Sequence, residues 1–439
     1  MKRVLTLLPM LLLLTVVSVA ASSDATEEIP LVALLRERAL PLATEADLDP
    51  LLERAKEAQL ILLGDGTHGT YDFYRVRTHI SRRLIAEQNI DFIVVEGDWA
   101  STEVVDRYVR HLPGAVANAA EALRAFHRWP DWVWKNSEFE QLVEWLHHFN
   151  GVRPPERRVA LYGMDLLGFP DSLQRLMDHP PTAETGRAFR QCLAPYLDNP
   201  LNYPVALSQG ATDCTPELAA LHAQVAASEE PGGEVTAHLH VVENAEAYYR
   251  AMATSAASAW NRRVGHFAET LERLLDQHGP AARGIVWAHN THVGDARLSA
   301  MAGQGMQSLG ELLRTRFDNA SILLVGSTTY SGSVLSGREW GAPVAILPLP
   351  PAVEGSFEEL MHRTGHAVAY WLFTPGDRHD GPLVAPCGLR AVGVVYQPEF
   401  DARDNYLATI LPGRFDAFIF IDRTQALKMP SVVNKKASP

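Results

Sequence analysis

The chain has few cysteines, no basic stretch of any length and, beyond its first twenty or so residues, no long hydrophobic run. Lys plus Arg number 39 against 52 Asp plus Glu, a formal net charge of −13, and the only basic pair in the tail is Lys435-Lys436. That balance excludes nucleic acid and anionic membranes as natural partners. Past the first residues, nothing is long and apolar enough to span a bilayer, so the mature chain has no membrane span. Of the three cysteines, Cys192 and Cys214 lie close together in one irregular region and are candidates for a disulfide that staples a loop. Cys387, in VAPCGLRAVGVVY, has no recognisable base beside it and reads as a small hydrophobe rather than a nucleophile. There is no G-x-S-x-G elbow, no H-E-x-x-H helix, no internal repeat and no linker that would divide the chain.

The opening MKRVLTLLPMLLLLTVVSVAASS has two basic residues, an apolar run and small residues around Ala20. Residues 1–22 are therefore expected to be a secretory signal peptide, with export to the periplasm or the exterior. No Cys follows the run to take a lipid anchor. With 47% hydrophobic residues the remainder can bury a large core. A body over 29–425 is expected, followed by a tail over 426–439.

The most informative stretch is LILLGDGTHGTYDFYRVR, Leu60 to Arg77. An apolar run stops at Asp65, Gly66, Thr67, His68 and Gly69, after which Phe73, Val76, Ile80 and Leu84 fall in helical register, so the pattern is strand, tight turn, helix. Arg77 falls on the apolar stripe, where a guanidinium needs a carboxylate or a substrate oxygen. Before it, residues 29–58 read as helices covering one side of a sheet.

After it, DFIVVEGDW is a strand ending in Glu96 and Asp98, and STEVVDRYV a helix with Ser101 as cap. Trp129, Trp132 and Trp134 stand close together, as core packing or as an aromatic wall in which Trp132 would touch a ligand. Ser137 and Glu140 form a capping box. RRVALYGMDLLG is a third strand, ending at Asp165, and about 171–278 is a helical insertion or lid. RGIVWAHNTHVGD delivers His289 and His292 from a fourth strand, and further strands fit 321–326, 368–373, 391–396 and 417–422. The fold expected is α/β: a mixed, mainly parallel central sheet with flanking helices and a helical insertion.

Four strands thus end in groups suited to proton transfer: Asp65 with His68, Glu96, Asp165, and His289 with His292. Parallel neighbours would bring these ends to one sheet edge. Each residue alone has a plainer reading: Asp165 as a loop anchor, Glu96 in a buried pair with Arg77, His289 as a core histidine. Together they suit hydrolysis by activated water, an imidazole held by a carboxylate taking the proton and a second imidazole or a guanidinium stabilising the oxyanion. Asp65/His68 and His289/His292 each have i, i+3 spacing, so a divalent metal held by two His and a carboxylate is the competing chemistry.

GDGTHGTYDFYRVR, VVEGDW, LYGMD and WAHNTHVGD, in that order and with TTYSG and RAVGVVY downstream, resemble the erythromycin esterase family. The resemblance runs from about Leu60 to Asp422. It implies an α/β hydrolase with a helical cap, metal-independent or only weakly metal-linked, acting on a small-molecule ester or lactone such as a macrolide ring, with no cofactor. Position by position, it implies His68 as general base, Asp65 and Glu96 as acidic partners, His289 and His292 as further catalytic imidazoles, and Arg77 as a cleft residue; Asp165 joins Arg77 and Trp132 as substrate-contact candidates. The chain departs from the family pattern in carrying Asp65 and Asp72 where Glu is usual, and Val264 where W-N-x-R-D has its Asp. Two other readings stay open: a metallohydrolase or metallopeptidase at the same edge, and a non-catalytic binding protein for a haem-like ligand.

Overall fold

The computed structural model describes residues 28–197, 199–228 and 233–429. The expected signal peptide, the pair Lys435-Lys436 and most of the expected tail lie outside them. Among the described residues, eleven strands, β1 (Leu40–Pro41), β2 (Leu60–Asp65), β3 (Phe92–Asp98), β4 (Ala160–Asp165), β5 (Gly284–His289), β6 (Ile322–Gly337), β7 (Val344–Leu349), β8 (Val368–Leu372), β9 (Cys387–Arg390), β10 (Tyr406–Thr409) and β11 (Ala417–Thr424), form two sheets. The large sheet has the order β1-β8-β11-β6-β2-β5-β3-β4, with β7 folded back on β6, and β9 pairs with β10 apart from it. From β11 to β4 every pairing is parallel; β1, β8 and β7 add antiparallel edges. The sheet is mixed and mainly parallel, in an α/β fold, as expected.

Alternation along the strands explains why the sheet is covered on both faces. Ile61 and Leu63, Ile93 and Val95, Ile285 and Trp287 pack into one core. Their neighbours Leu60 and Leu62, Phe92 and Val94, Val286 and Ala288 pack into the other. Strands β2 and β5 are buried throughout, which reads in sequence as a continuous apolar run. Helices α1 (Glu28–Arg38), α2 (Asp49–Ala55), α3 (Tyr71–Glu87), α4 (Trp99–Val109) and α5 (Ser137–Gly151) surround it. Residues 29–58 do not all cover one side: Val32 and Leu35 of α1 join one core, whereas Leu51 and Leu52 of α2 join the other. The edge strand β1 carries the chain between the two faces.

Two caps differ from expectation. Asp98, the residue that ends β3, is also the residue before α4, and Ser101 Oγ instead donates to the Ala125 carbonyl at 2.9 Å. Asn136 caps α5 by accepting from the Phe139 N–H, a side-chain oxygen satisfying a helix N–H one residue earlier than Ser137 would.

The helical block begins with α6 (Phe169–Asp178) and continues through α7 (Ala183–Leu193), α8 (Thr215–Ser228), α9 (Glu234–Met252) and α10 (Ala256–His278). Its first four helices share a core of their own that includes Phe169, Leu176, Phe189, Leu221 and Val242. The Cys192–Cys214 disulfide ties α7 to the start of α8. Helix α10 belongs to the sheet instead: Val264, Phe267, Leu271 and Leu274 pack with Leu60 and Leu62. Among the described residues of 171–278, Trp260 and Arg263 are those that reach the cleft described next.

Residues 391–396 form no strand. Val392 pairs with the turn after β2, its N–H donating to the Gly66 carbonyl at 2.8 Å and its carbonyl accepting from the His68 N–H at 3.3 Å.

Candidate active site

The ends of β2, β5, β3 and β4 lie side by side. In register, Asp65 stands opposite His289 and Asp98 opposite Asp165. A cavity of about 330 Å³ opens at this edge, and His68, Glu96, Asp165, Arg263, His289 and His292 line it. Its outer walls come from the loop carrying Phe126, Arg128 and Trp134 and from the segment carrying Ala391, Val394 and Phe400.

The turn that carries His68 is held by close backbone contact. A Cβ on Gly69 would lie 1.8 Å from the Leu335 carbonyl oxygen, so only glycine lets the turn approach β6, where the Leu335 N–H donates to the Gly69 carbonyl at 2.9 Å. This places the imidazole of His68 beside that of His289, ring centroids 4.8 Å apart. His68 Nδ1 faces Asp65 Oδ1 at 3.5 Å, and Asp65 Oδ2 is 2.7 Å from Arg77 Nη1. The Arg77 guanidinium lies over the rings of Tyr74 and Trp287, 4.6 Å from each centroid. Arg77 and Asp65 therefore stand behind His68, away from the cavity wall, and Arg77 meets the carboxylate alternative, not a substrate oxygen. Trp132 is also withdrawn: it is buried in the core, and Trp134 of the same cluster lines the cavity instead, its Nε1 donating to the Glu96 carbonyl at 2.9 Å.

A second network centres on Glu96. Its Oε1 accepts from Arg263 Nη2 at 2.9 Å and lies 3.2 Å from His292 Nε2, and its Oε2 accepts from the His289 backbone N–H at 3.0 Å. Arg263 also grips Asp165, Nε to Oδ1 at 3.0 Å and Nη2 to Oδ2 at 2.7 Å. Glu96 is thus paired with Arg263 and not with Arg77. Trp260 stacks on His292, centroids 4.5 Å apart and planes 9° from parallel. Arg128 makes a similar two-point pair with Asp98, 2.7 and 3.0 Å, at the cavity edge. Arg263, Trp260 and Arg128 were not singled out as site residues. Trp260 and Arg263, three apart, sit on one helix face, but nothing in the local pattern says which carboxylates that face meets.

Burial and these partners set the proton affinities. Burial pushes His68 and His289 down to about 4, against the pull of nearby carboxylates, so both are neutral imidazoles at neutral pH. Burial raises Asp65, with the Arg77 charge opposing it. For Glu96 burial acts upward, but His292 and Arg263 outweigh it and hold the carboxyl well below its usual range. Asp165 is likewise held low by Arg263 against its own burial. Glu96 is therefore an ionised group whose lone pairs are committed to donors, a poor base. His68, neutral and facing the cavity, is the better one.

His289 is oriented as a donor. Its Nδ1 accepts from the Thr291 N–H at 3.4 Å and lies 2.8 Å from Thr291 Oγ1, which assigns the ring proton to Nε2. That Nε2 is buried without a partner. The donor groups of the cleft do not converge as a metal cage does: among the described residues, sets of three or more His, Cys, Asp or Glu ligand atoms within 4.8 Å occur at two places, both in the helical block or beside it. Between Glu96, Asp165 and His292 the position a cation would take is filled by the Arg263 guanidinium.

A sequence model of the family described as erythromycin esterase matches residues 85–424. The chain belongs to the erythromycin esterase family. The matched span takes in Glu96, Asp165, Arg263, His289 and His292, and starts after the turn with Asp65 and His68. The family is one of hydrolases of ester or lactone type acting on small molecules. Among solved structures, a succinoglycan biosynthesis protein superimposes with a TM-score of 0.72 at 18% identity, covering 93% of this chain and 100% of its own. A Bacillus cereus protein gives 0.70 at 17%, covering 92% and 99%. An erythromycin esterase mutant in its open conformation gives 0.61 at 15%, covering 89% and 96%. At these identities the likeness establishes the shared fold.

Proposed function

We propose that this erythromycin esterase family member is an exported hydrolase that opens an ester or lactone by attack of water, with His68 as general base. The observation that carries the reading is the pair of facing imidazoles. His68 has Nδ1 turned to Asp65, leaving Nε2 to accept a proton, and His289 holds an unpartnered Nε2–H beside it. In the step proposed, the oxygen of water bonds to the carbonyl carbon while its proton passes to His68 Nε2. The carbonyl oxygen becomes an oxyanion that accepts from His289 Nε2–H. Collapse breaks the bond to the alkoxy oxygen, which takes the proton back from His68. An ester yields acid and alcohol; a lactone yields one hydroxy acid.

Glu96, Arg263 and Asp165 keep His292 and the His289 backbone in place, and Asp65 with Arg77 orients His68. Arg77 and Asp65 are thus positioning residues. Purified protein incubated with erythromycin and a panel of lactones and aryl esters, with and without chelator, tests the reading by mass spectrometry. Gain of one water on a panel member that survives chelator and disappears in His68→Ala supports it. No turnover, or turnover lost to chelator, would move the assignment to a binding or metal-dependent protein.

A further inference from the structure

Outside the cleft, several buried polar atoms without partners lie on the facing helices α9 and α10, His240 Nε2, Asn244 Oδ1, His266 Nδ1 and Thr270 Oγ1 among them. His240 on α9 faces His266 and Glu269 on α10, and one ligand atom from each lies within 4.8 Å of the others. The two imidazole rings are 4.7 Å apart, centroid to centroid. His240 Nε2 and His266 Nδ1 are both buried without a hydrogen-bond partner, and His266 is only 1% exposed. Buried polar atoms cost free energy unless something satisfies them, so two neighbouring imidazole nitrogens left bare require a reason.

We propose that His240, His266 and Glu269 form a binding site for a divalent transition cation of the zinc class, with solvent completing its coordination. His240 Nε2 and Glu269 Oε2 are 3.8 Å apart, too far for a hydrogen bond and close to the roughly 3.4 Å between two donors on a tetrahedral zinc with bonds of about 2.0–2.1 Å. His266 and Glu269 are three apart on one helix, so both reach the same side, and His240 approaches from the partner helix.

The surroundings fix the position of the His240 ring. Asn244 Nδ2 is 3.1 Å from His240 Nδ1, and Asn244 Oδ1 is buried without a partner. The same Nδ2 donates to the His240 backbone carbonyl at 2.8 Å, so the amide is fixed against the His240 ring one turn along α9. Arg262 Nη1 lies 3.9 Å from Glu269 Oε1, leaving Oε2 to the site. Two imidazoles and one carboxylate select Zn²⁺ or Co²⁺ over Mg²⁺ and Ca²⁺, which prefer all-oxygen sites. His266 is one turn beyond Arg263, so the cation would pin α10 to α9 at the height where Arg263 bridges Glu96 and Asp165.

The test uses the full-length protein stripped of metal, titrated with Zn²⁺ by calorimetry and with Co²⁺ by visible spectroscopy. One zinc per chain, tetrahedral Co²⁺ bands and a higher melting temperature with Zn²⁺ but not Mg²⁺ are expected. His240→Gln and Glu269→Gln, both at partly exposed positions, should each weaken binding roughly ten-fold or more, whereas His68→Ala/His289→Ala should leave it unchanged. Absence of stoichiometric binding, binding that survives both α9–α10 variants, or binding lost in the cleft variant would overturn the proposal.

Discussion

Arg263→Met offers the most informative perturbation of the site. Arg263 donates at 2.7, 2.9 and 3.0 Å to two carboxylates that are themselves almost wholly buried, and its own side chain is 15% exposed. Methionine keeps most of the aliphatic bulk and removes the charge, leaving Glu96 and Asp165 near each other with no cation between them. Breaking a buried pair by removing one partner costs about 3–5 kcal/mol. The sign of its pH dependence follows from the carboxyl groups. In the wild type both are held below their ordinary values, so the stability they contribute is present above about pH 4 and lost as the pH falls through their folded values. Without Arg263, burial raises them, and each group regains stability by taking up a proton as the pH falls. The deficit of the variant should therefore be largest near pH 8 and shrink toward pH 5. Urea unfolding followed by tryptophan fluorescence at the two pH values measures it. A loss under about 1 kcal/mol, the size of an exposed ion pair, or a loss equal at both pH values would refute the argument that Arg263 neutralises buried charge.

Three further outcomes are expected. His289→Phe, which keeps the ring but removes the donor, should lower kcat for an aryl ester by about 10²–10³ while KM changes little, measured by initial rates. Replacing Cys192 and Cys214 by serine opens a connection between residues 22 apart, and the chain-entropy estimate is a loss of about 3 kcal/mol, read as earlier unfolding of the helical block by hydrogen exchange. Acid should destabilise the fold beyond its carboxylates: His68 and His289 are neutral in the folded state down to about 4 but protonate near 6.5 when unfolded, so their contribution is full above pH 6.5 and lost as the pH falls toward 4. His68→Ala/His289→Ala should flatten the stability profile between pH 4 and 6.5.

The parts of the fold that could be read from the sequence are those where one rule acts alone. Buried parallel strands give continuous apolar runs, and β2, β3, β4 and β5 end where Asp65, Glu96 and Asp98, Asp165 and His289 interrupt those runs. Parallel pairing then brings the ends together without any knowledge of what fills the gaps. What could not be read depends on partners distant in sequence. Arg77 was restricted to a carboxylate or a substrate, but only the three-dimensional arrangement shows Asp65 at 2.7 Å and Glu96 taken by Arg263 instead. Trp132 and Trp134 are two apart, and which of them reaches the cavity depends on the irregular connection between α4 and α5, where no periodicity applies. The run 391–396 has strand composition but spends its hydrogen bonds on the His68 turn and lines the cavity, a tertiary use that propensity does not encode.

The central claim is that His68 takes the proton from water, and the pH dependence of kcat/KM on a hydrolysed ester tests it most directly. That profile reports the free enzyme, in which His68 is held down to about 4. The wild type should keep its rate down to about pH 5 and lose it with an apparent value near 4. In His68→Ala the rate should fall by about 10²–10⁴ at neutral pH, and that acid limb should vanish. A wild-type limb at 6.5, or a variant that keeps both rate and profile, would contradict the account.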